Sequence, residues 1–362
     1  MTEIGQPYSS LDTPFLWTDL DIVESNIAIM ARLFEETKVN WRPHTKGIKI
    51  PAIAHKAIAA GAIGVTCAKL GEAEIMAAAG IKDILIANQI VGPHKLARLV
   101  HLQHQADVKV AVDDAGVASQ LSAAAQAAGV EVGVLVEVNT GMNRAGTAPG
   151  QAAVALSQKI LEMPGLRYDG LMAWEGHALA NPDPDGRKAA IEESLGLFQK
   201  TIEACQSANL PLAIISGGGS GSTGVTPFLG VVTEMQSGGA LFSDTRYHAW
   251  WDGTTPSIFV RAMVTSRPTP ERILFDAGFK TLPRWAGEPE VLGIDHVKSF
   301  STSAEHGVMT LTQPNETIQI GDSFDFIIGY GDSTVFLHDH LYGVRKGMVE
   351  AVWPVSGRGK LR

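Results

Sequence analysis

The chain has 362 residues, of which 45% are hydrophobic and 19% are charged, and its formal net charge at pH 7 is −9. This length accommodates a barrel of usual size together with a smaller second domain. The negative charge gives no broad attraction to nucleic acid or to an anionic membrane, so we expect small-molecule partners. Neither a signal peptide nor a membrane span is predicted. The two cysteines, Cys67 and Cys205, are too few for a disulfide framework or a thiolate zinc site, which favours the cytoplasm.

Short apolar runs alternate with longer segments of helical period through the first two thirds of the sequence. Each run has the length of a buried strand, and the segments between the runs are rich in Ala and Leu. Eight strand candidates in succession favour a (β/α)₈ TIM barrel over an open doubly wound sheet. The predicted barrel strands are residues 39–41, 63–67, 84–87, 108–112, 132–138, 168–173, 212–216 and 231–236.

After Trp250 the helical period stops, and a β-rich region is predicted. Its apolar runs are separated by Gly, Pro and Asp, which favour turns. Another run, at 13–17, indicates a strand ahead of the first helix, and we expect it to pair with the C-terminal strands. The sequence therefore predicts a barrel domain at 20–250 and a β-strand domain made of 1–19 and 251–362. Its predicted C-terminal strands include 258–264, 272–275, 324–328 and 348–353.

Residues that carry chemistry follow several of the predicted barrel strands directly. Lys46, Arg144 and His177 each lie a few residues past a strand, and the run SGGGSGS at 216–222 ends the seventh strand. Because the active site of (β/α)₈ enzymes lies at the carboxyl ends of the strands, we expect these groups to share one mouth. The sequence thus predicts a site in which a lysine, an arginine, a histidine and a glycine loop converge.

The run SGGGSGS is the strongest local signal for a bound phosphate. Closely spaced glycines let backbone N–H groups approach phosphate oxygens, and serines add hydroxyl donors. A flexible turn is the alternative, but the position after the seventh barrel strand favours phosphate binding. The run lacks the GxxxxGK[ST] lysine, so a nucleotide P-loop is not indicated.

Lys46 and Arg144 are the candidate cations of this site. A lysine in a barrel mouth is partly desolvated, which lowers its pKa toward the neutral amine that forms a Schiff base. A solvated surface lysine is the alternative, and Lys49 competes for the same role. Arg144 could place a permanent positive charge beside a phosphate or phenolate, although an ordinary ion pair at the rim is also possible.

Nine motifs together give the chain a resemblance to a known family. It resembles the fold-type III pyridoxal-phosphate enzymes, which have an alanine-racemase-like barrel. Within them it resembles the group of D-threonine aldolase, 3-hydroxy-D-aspartate aldolase and D-serine dehydratase, and the likeness covers nearly the whole chain. The motifs are DTP at 12–14, RPHTK at 42–46, CAKLGEAE at 67–74, NTGMNRAG at 139–146, SGGGSGS at 216–222, TEMQSGG at 233–239, DAGFK at 276–280, AEHG at 304–307 and VEAVWPVSGRGK at 349–360.

The resemblance implies a cofactor, pyridoxal 5'-phosphate, and the residues that hold it in the barrel. Lys46 is implied to attach the cofactor covalently and Arg144 to approach its phenolic oxygen. The resemblance also implies a homodimer in which the β-domain of one subunit lies near the barrel mouth of the other. The remaining cofactor residues that it implies are Trp174, Ser216, Gly218, Gly219, Ser220, Gly221, Ser222 and Gln236.

Three departures from the family pattern limit what the resemblance implies. A polar residue that relatives carry shortly after the cofactor lysine is absent from Gly47-Ile48-Lys49. Trp174 replaces the tyrosine that relatives place near the pyridine nitrogen. Tyr330 stands where relatives have a metal-binding histidine, while Asp332 keeps the position of the second ligand.

The third departure leaves open whether a divalent metal, Mg²⁺ or Mn²⁺, is used. A single carboxylate such as Asp332 holds these ions weakly. His338 and His340 would share one face of a strand and could bind a metal instead, but a structural role is favoured for this pair.

The resulting hypothesis is a lyase that cleaves D-β-hydroxy-α-amino acids, of the D-threonine or 3-hydroxy-D-aspartate type, to glycine and an aldehyde. His177 or Tyr330 would orient or deprotonate the substrate hydroxyl. The missing metal ligand favours aldol cleavage over dehydration, since expelling hydroxide benefits from a Lewis acid. A D-serine dehydratase-like enzyme, an amino-acid racemase and a non-catalytic cofactor-binding protein stay open as alternatives, as does a barrel that binds another phosphate ligand.

Overall fold

The computed structural model describes residues 3–362 and divides them into two compact units. The barrel unit comprises Met30–Lys46, Ile53–Gly238 and Gly359–Arg362. The β-unit comprises the residues up to Ile29, together with Gly47–Ala52 and Gly239–Arg358. The domain boundaries predicted from the sequence, near residues 20 and 250, stay a prediction.

Strands and helices alternate in the first part of the described chain, and strands dominate its last third. The strands are β1 (Phe15–Asp19), β2 (Asn40–Trp41), β3 (Val65–Cys67), β4 (Asp83–Ile86), β5 (Asp107–Val112), β6 (Val132–Val138), β7 (Leu166–Ala173), β8 (Ile214–Gly217), β9 (Glu234–Met235), β10 (Ile258–Thr269), β11 (Arg272–Phe275), β12 (Glu290–Val291), β13 (Val297–Thr302), β14 (Gly307–Leu311), β15 (Ser323–Ile327), β16 (His340–Arg345) and β17 (Met348–Pro354). The α-helices are α1 (Leu20–Thr37), α2 (Pro51–Ala59), α3 (Leu70–Ala78), α4 (Pro93–Leu102), α5 (Ala115–Ala128), α6 (Gln151–Leu161), α7 (Pro184–Ser207), α8 (Thr245–Trp250) and α9 (Gly331–Thr334). No helix among residues 3–362 is both long and apolar enough to cross a membrane.

The eight strands β2 to β9 form one parallel sheet that curls into a barrel. Their order is β2-β9-β8-β7-β6-β5-β4-β3. A bridge between His44 and Thr66 joins the two outer strands, supported by a hydrogen bond of 3.0 Å from Thr66 N–H to the Pro43 carbonyl. Every residue of β6 is buried, as expected for a strand covered on both faces. The predicted TIM-like barrel is therefore confirmed.

A layer of paired charges lies at the amino ends of the barrel strands. Arg42 binds Glu234 at 3.0 Å and Asp83 at 2.5 Å, with 2% of its side chain exposed. Lys109 binds Asp83 at 2.9 Å and Asp107 at 2.7 Å. Because conserved chemistry in such barrels lies at the opposite, carboxyl ends, we assign this layer to stability.

The β-unit is built on a second, mixed sheet that includes the N-terminal strand. Its main path runs β13-β14-β11-β10-β1-β16-β17, and β15 pairs with both β10 and β12. In β1, Leu16 lies opposite Val260 of antiparallel β10 and opposite Leu341 of parallel β16. The expected pairing of the N-terminal strand with the C-terminal strands is confirmed. Its core is formed by Leu11, Phe15, Trp17, Phe259, Val344 and Val349.

Candidate active site

Lys46 lies in a short 3-10 turn, Thr45–Gly47, that begins a few residues after β2. Its side chain is half-buried, and its backbone N–H donates to Nδ1 of His44 at 3.3 Å. The preceding Thr45 is fully buried and donates from Oγ1 to the Thr66 carbonyl at 3.0 Å. Neighbouring strands thus fix the turn, and Lys46 is held at the carboxyl edge of the barrel.

Arg144 lies in the loop after β6 and is paired only loosely. Its Nη2 is 3.8 Å from Oε1 of Glu137, which is buried, and just over half of the Arg144 side chain is exposed. Burial raises the pKa of Glu137, although a 2.5 Å hydrogen bond from Gln89 and the charge of Arg144 oppose this shift. Arg144, Glu137 and Trp174 line one small cavity of the barrel unit. The guanidinium is therefore positioned by a buried acid beside the indole.

The glycine loop leaves β8 and turns at once into a buried 3-10 turn, Ser220–Ser222. Gly218 has φ +65°, a left-handed conformation that glycine adopts at no steric cost. A Cβ on Gly219 would lie 2.6 Å from Cη2 of Trp174, so only glycine lets the indole pack against the loop. The loop, Trp174 and the end of β8 therefore form one contiguous surface.

Glu175 holds the glycine loop through buried hydrogen bonds. The sequence did not predict this role. Glu175 is fully buried, and its Oε1 accepts hydrogen bonds of 2.7 Å from the hydroxyls of Ser222 and Thr226. Its Oε2 is buried without a hydrogen-bond partner among the described residues. The Ser222 hydroxyl is thus engaged on the inner side of the loop. Sequence reasoning had no signal for this contact beyond the acidic residue next to Trp174.

We expect Ser222→Ala to destabilise the fold by about 1–3 kcal/mol, because it deprives the buried Glu175 of a donor. Ser220→Ala is the matched control, since it removes a hydroxyl from the same turn, whereas the hydrogen bonds described for Glu175 come from Ser222 and Thr226. Thermal unfolding of both apo variants is the measurement. Equal melting temperatures for the two would contradict the anchoring role of Ser222.

Ser216 and Gln236 meet at the ends of neighbouring strands β8 and β9. The Gln236 amide donates from Nε2 to Oγ of Ser216 at 3.0 Å, and both residues are buried. The backbone N–H of Gln236 also donates to the Gly217 carbonyl at 3.1 Å. The structure therefore brings these two predicted cofactor residues together at the root of the glycine loop.

His177 lies in a 3-10 turn, Gly176–Ala180, shortly after β7. Its side chain is exposed, and a Cβ built on Gly141 would lie 2.8 Å from its Nε2. Gly141 belongs to the same loop as Arg144. The imidazole is consequently held beside the Arg144 loop while it keeps access to solvent.

Tyr330 and Asp332, the two remaining predicted site residues, lie in the β-unit at the start of α9. The phenol of Tyr330 donates to Oδ2 of Asp332 at 2.9 Å. The phenol of Tyr247, from α8, donates to Oδ1 of the same carboxylate at 3.2 Å. Tyr247 had no sequence signal, because α8 is only one and a half turns long and carries no repeat. We call these three residues the Tyr330 cluster.

Asp244 fixes the cluster from beneath. Its carboxylate is buried and accepts from the backbone N–H groups of Tyr247, at 2.8 Å, and Gly331, at 2.5 Å. Burial raises the pKa of Asp244 to about 8, and the charge of Asp332 adds to this rise, while the two backbone donors oppose it. Burial also raises the pKa of Tyr247 well above its usual value, as do the neighbouring acids. Tyr247 is therefore protonated and able to donate.

Two family models match the chain in succession. The model described as the alanine racemase N-terminal domain matches residues 18–246, and the model described as a putative serine dehydratase domain matches residues 257–344. The first match covers more than half of the chain. The chain belongs to the fold-type III pyridoxal-phosphate enzymes. Within this family its relatives indicate the subgroup of aldolases and dehydratases.

Several characterised fold-type III enzymes are similar along the whole chain. The D-threonine aldolase of Arthrobacter sp is 36% identical over 98% of this chain and 95% of its own length. The 3-hydroxy-D-aspartate aldolase of Paracoccus denitrificans (strain Pd 1222) is 34% identical over 98% of this chain and 94% of its own. The crystal structure of D-threonine aldolase from Filomicrobium marinum is 36% identical, with a TM-score of 0.96 and full coverage of both chains.

A more distant structure shares only the fold. The D-threo-3-hydroxyaspartate dehydratase of Delftia sp. HT23 has a TM-score of 0.84 at 24% identity and covers 96% of this chain. Aldolases and dehydratases of the fold-type III family thus use the same architecture. The family match alone therefore does not distinguish aldol cleavage from dehydration.

The donor groups of the barrel unit fit the phosphorylated cofactor of the family. The buried turn after β8 offers backbone N–H groups and the side chain of Ser220, which suit an anionic phosphate. Arg144 offers a guanidinium whose side chain is just over half exposed and which lies 3.8 Å from the Glu137 carboxylate. Lys46 offers a primary amine in the turn that follows β2. The fit thus rests on cationic and N–H donors that follow three strands of one barrel, β2, β6 and β8.

The His338–His340 pair does not come together as a metal site. His338 precedes β16 and its Nε2 bonds the Thr281 carbonyl at 3.0 Å, whereas His340 is exposed at the start of the strand. Among residues 3–362, no group of three or more His, Cys, Asp or Glu side chains could hold a metal ion. The structural role favoured for His338 agrees with this geometry.

The half-buried imidazole of His338 predicts a loss of stability in mild acid. Burial lowers the pKa of His338 to about 4, with a hydrogen bond to Thr281 opposing the shift. The unfolded chain binds a proton near pH 6.5 while the folded chain does not, so stability falls as pH decreases from about 6.5 to 4, by at most about 3 kcal/mol. Denaturant unfolding of wild type and His338→Gln across this range is the measurement. Identical pH profiles would show that His338 does not contribute.

Proposed function

We propose that the protein is a pyridoxal-phosphate-dependent lyase that cleaves D-β-hydroxy-α-amino acids to glycine and an aldehyde by retro-aldol chemistry. The proposed substrates are of the D-threonine or 3-hydroxy-D-aspartate type. The observation that carries this proposal is the similarity to a D-threonine aldolase structure over all of both chains, at a TM-score of 0.96 and 36% identity. The lysine turn and the glycine loop lie where a barrel enzyme holds such a cofactor.

The cofactor is assigned to the residues at the carboxyl ends of the barrel strands. Lys46 would hold it covalently, Arg144 would approach its phenolic oxygen, and Trp174 would face its ring. The phosphate would bind the loop backbone at Gly218, Gly219 and Gly221 with the Ser220 hydroxyl, supported by Ser216, Ser222 and Gln236. When bound, pyridoxal phosphate supplies a conjugated ring that accepts the electron pair released at the substrate Cα.

Two protons must be moved in the cleavage, and two side chains are proposed to handle them. One proton leaves the β-hydroxyl as the aldehyde forms, and one is added to Cα to give glycine. His177 suits such a transfer, because its imidazole is exposed beside the Arg144 loop and an imidazole can both accept and donate a proton. Tyr330 is the other candidate, since its phenol is already hydrogen-bonded to a carboxylate.

A dehydratase acting on a similar substrate is the second candidate. It is favoured by the putative serine dehydratase domain matched at residues 257–344. Dehydration expels hydroxide, a poor leaving group that benefits from a bound metal. Tyr330 and Asp332 provide a phenol and one carboxylate, which is a weak donor set for a divalent cation. The donor set therefore favours aldol cleavage.

Product analysis distinguishes the candidates directly. The reconstituted protein is incubated with D-threonine, L-threonine and 3-hydroxy-D-aspartate, and the products are separated by chromatography. Glycine with an aldehyde, formed from the D substrates alone, is the expected result. Ammonia with a 2-oxo acid would establish a dehydratase, and formation of the enantiomer would establish a racemase.

The protein is further proposed to act in the cytoplasm as a homodimer. Neither of its two cysteines, both of which are buried, takes part in a disulfide, which agrees with a reducing compartment. The family resemblance suggests that the β-unit of one subunit lies near the barrel mouth of the other. Light scattering at micromolar concentration tests the dimer, and a monomer that retains full activity would contradict it.

A further inference from the structure

The residues at the family's metal position do not suit a divalent cation. Relatives place a histidine and a second ligand there, whereas this chain has Tyr330 and Asp332. Mg²⁺ and Mn²⁺ prefer several carboxylate, carbonyl or water oxygens, and a protonated phenol adds no negative charge to the site. One carboxylate is therefore the whole anionic contribution of this pair.

Both oxygens of that carboxylate already accept hydrogen bonds. Tyr330 donates to Oδ2 of Asp332 at 2.9 Å and Tyr247 donates to Oδ1 at 3.2 Å. The two phenol oxygens are themselves 3.4 Å apart. A cation bound to Asp332 would have to displace at least one phenol. Each carboxylate oxygen of Asp332 therefore has a phenol donor in a position that a bound cation would need.

A positive charge is also built into the surroundings of Tyr330. The guanidinium carbon of Arg246 lies 4.9 Å from the centre of the Tyr330 ring and 4.7 Å from the centre of the Trp250 ring. The guanidinium donates from Nη1 to the Ala286 carbonyl, which fixes it in place. A second cation at Asp332 would be repelled by this group, because like charges at short range disfavour one another.

The Tyr330 cluster contacts Gly47, a residue of the same β-unit that directly follows Lys46 in the sequence. Asp332 packs against Gly47, the residue that follows Lys46, so closely that a Cβ on Gly47 would overlap Oδ1 of the carboxylate. The Cγ of Asp332 would be 3.3 Å from that Cβ. The carboxylate therefore packs against residue 47 only because that residue is glycine.

We propose that the Tyr330 cluster replaces the divalent metal of the family and acts as a proton relay in the proposed aldol cleavage. In this step the β-hydroxyl proton of the substrate moves to Oη of Tyr330, while the phenolic proton of Tyr330 moves to Oδ2 of Asp332. The O–H bonding pair becomes the second bond of the aldehyde carbonyl, the Cα–Cβ bond breaks, and its electron pair stays with Cα. The proton held on Oδ2 of Asp332 then returns to Oη of Tyr330, and Tyr330 gives up the proton it took from the substrate, so that one proton in net adds to the electron pair on Cα and gives glycine. This inference rests on the proposed function.

Tyr247 is a positioning residue in this relay. Its hydroxyl holds Oδ1 of Asp332, which turns Oδ2 toward Tyr330. Removing that hydroxyl in Tyr247→Phe leaves the ring in place but takes away the hydrogen bond to Oδ1 that helps to orient the carboxylate. We expect kcat for D-threonine to fall about tenfold with KM unchanged, because only the aligned transition state loses an interaction. A change confined to KM or to thermal stability would assign Tyr247 a structural role.

Metal content and chelator response test the replacement itself. The wild-type holoenzyme, treated with EDTA and separated from it, is expected to retain activity within about twofold, and elemental analysis is expected to find no stoichiometric metal. Tyr330→His restores the two-ligand pattern of the family and is expected to bind Mn²⁺ after dialysis against it. Tyr330→Phe is the matched control, since it removes the phenol without adding a ligand. Stoichiometric metal in wild type, with activity that EDTA abolishes and Mn²⁺ restores, would overturn the proposal.

The relay is tested separately from metal binding by a double-mutant comparison. Tyr330→Phe and Asp332→Asn are each expected to lower kcat by about 10²–10³-fold, and the double variant by little more, because members of one relay fail together. If kcat of the double variant falls by the product of the two single losses, the relay is contradicted. If the wild type forms no glycine or aldehyde, the proposed function fails, whereas the Mn²⁺ content of wild type and Tyr330→His still decides whether the cluster excludes metal.

Discussion

Lys46→Ala is expected to lower aldol cleavage of D-threonine by about four orders of magnitude, since the variant cannot attach the cofactor covalently. The half-buried lysine lies in a turn that is tied to a neighbouring strand through Thr45, so its loss removes the amine without disturbing a packed core. The measurement is kcat/KM together with the visible absorption of the protein after addition of pyridoxal phosphate. We expect the absorption band of the attached cofactor to be absent from the variant.

Lys49 provides the control, because the sequence alone also allowed Lys49 to be the lysine that attaches the cofactor. Lys49 is buried, with 6% of its surface exposed, and has a backbone φ of +56°. Lys46→Arg and Lys49→Arg both keep the positive charge but cannot attach the cofactor. Activity should be lost in the first variant and retained in the second. Borohydride reduction followed by peptide mass mapping should label Lys46, and a label on Lys49 would refute the assignment.

Arg42→Met is expected to lower the free energy of unfolding by about 3–5 kcal/mol, because it leaves the buried carboxylate of Glu234 without its partner. Arg42 binds Glu234 at the amino end of the barrel, and only 2% and 3% of the two side chains are exposed. Burial lowers the pKa of Arg42, but Glu234 and Asp83 outweigh this effect and raise the pKa, so the Arg42 guanidinium is charged. Thermal unfolding should show a melting temperature lower by roughly 10 °C.

A compensating variant separates the charge effect from simple loss of packing. Arg42→Met combined with Glu234→Leu removes both members of the pair and should recover a large part of the lost stability. Asp83 still has Lys109 as a partner in this variant, at 2.9 Å. Additive losses in the double variant would show that packing, and not the unpaired charge, causes the instability.

Periodicity explains why most of the architecture could be predicted. The predicted strand 132–138 coincides with β6, and 272–275 coincides with β11, since buried strands leave continuous apolar runs in the sequence. Boundaries were less accurate at β2 and β9, which are only two residues long. Such short strands are defined by hydrogen bonds to their neighbours, which the sequence does not display.

The site was predictable where motifs mark it and unpredictable where tertiary contacts create it. Lys46, Arg144 and the glycine loop follow strand ends, as expected, and their roles stay predictions. Glu175 and Tyr247 carry no motif of their own, because their importance comes from partners distant in sequence: Ser222 lies 47 residues from Glu175, and Asp332 lies 85 residues from Tyr247. Only the folded chain brings such partners together.

The position of β1 has a consequence for how the protein is made. Leu16 pairs with Val260 and Leu341, so this strand leaves the ribosome long before either of its neighbours exists. At about 5–20 residues per second, the wait for Val260 lasts roughly 12 to 50 s. During this interval the strand has unpaired backbone groups on both edges, which is the property that recruits chaperones or promotes aggregation. Slow synthesis would therefore endanger the first strand of this protein more than any strand of the barrel.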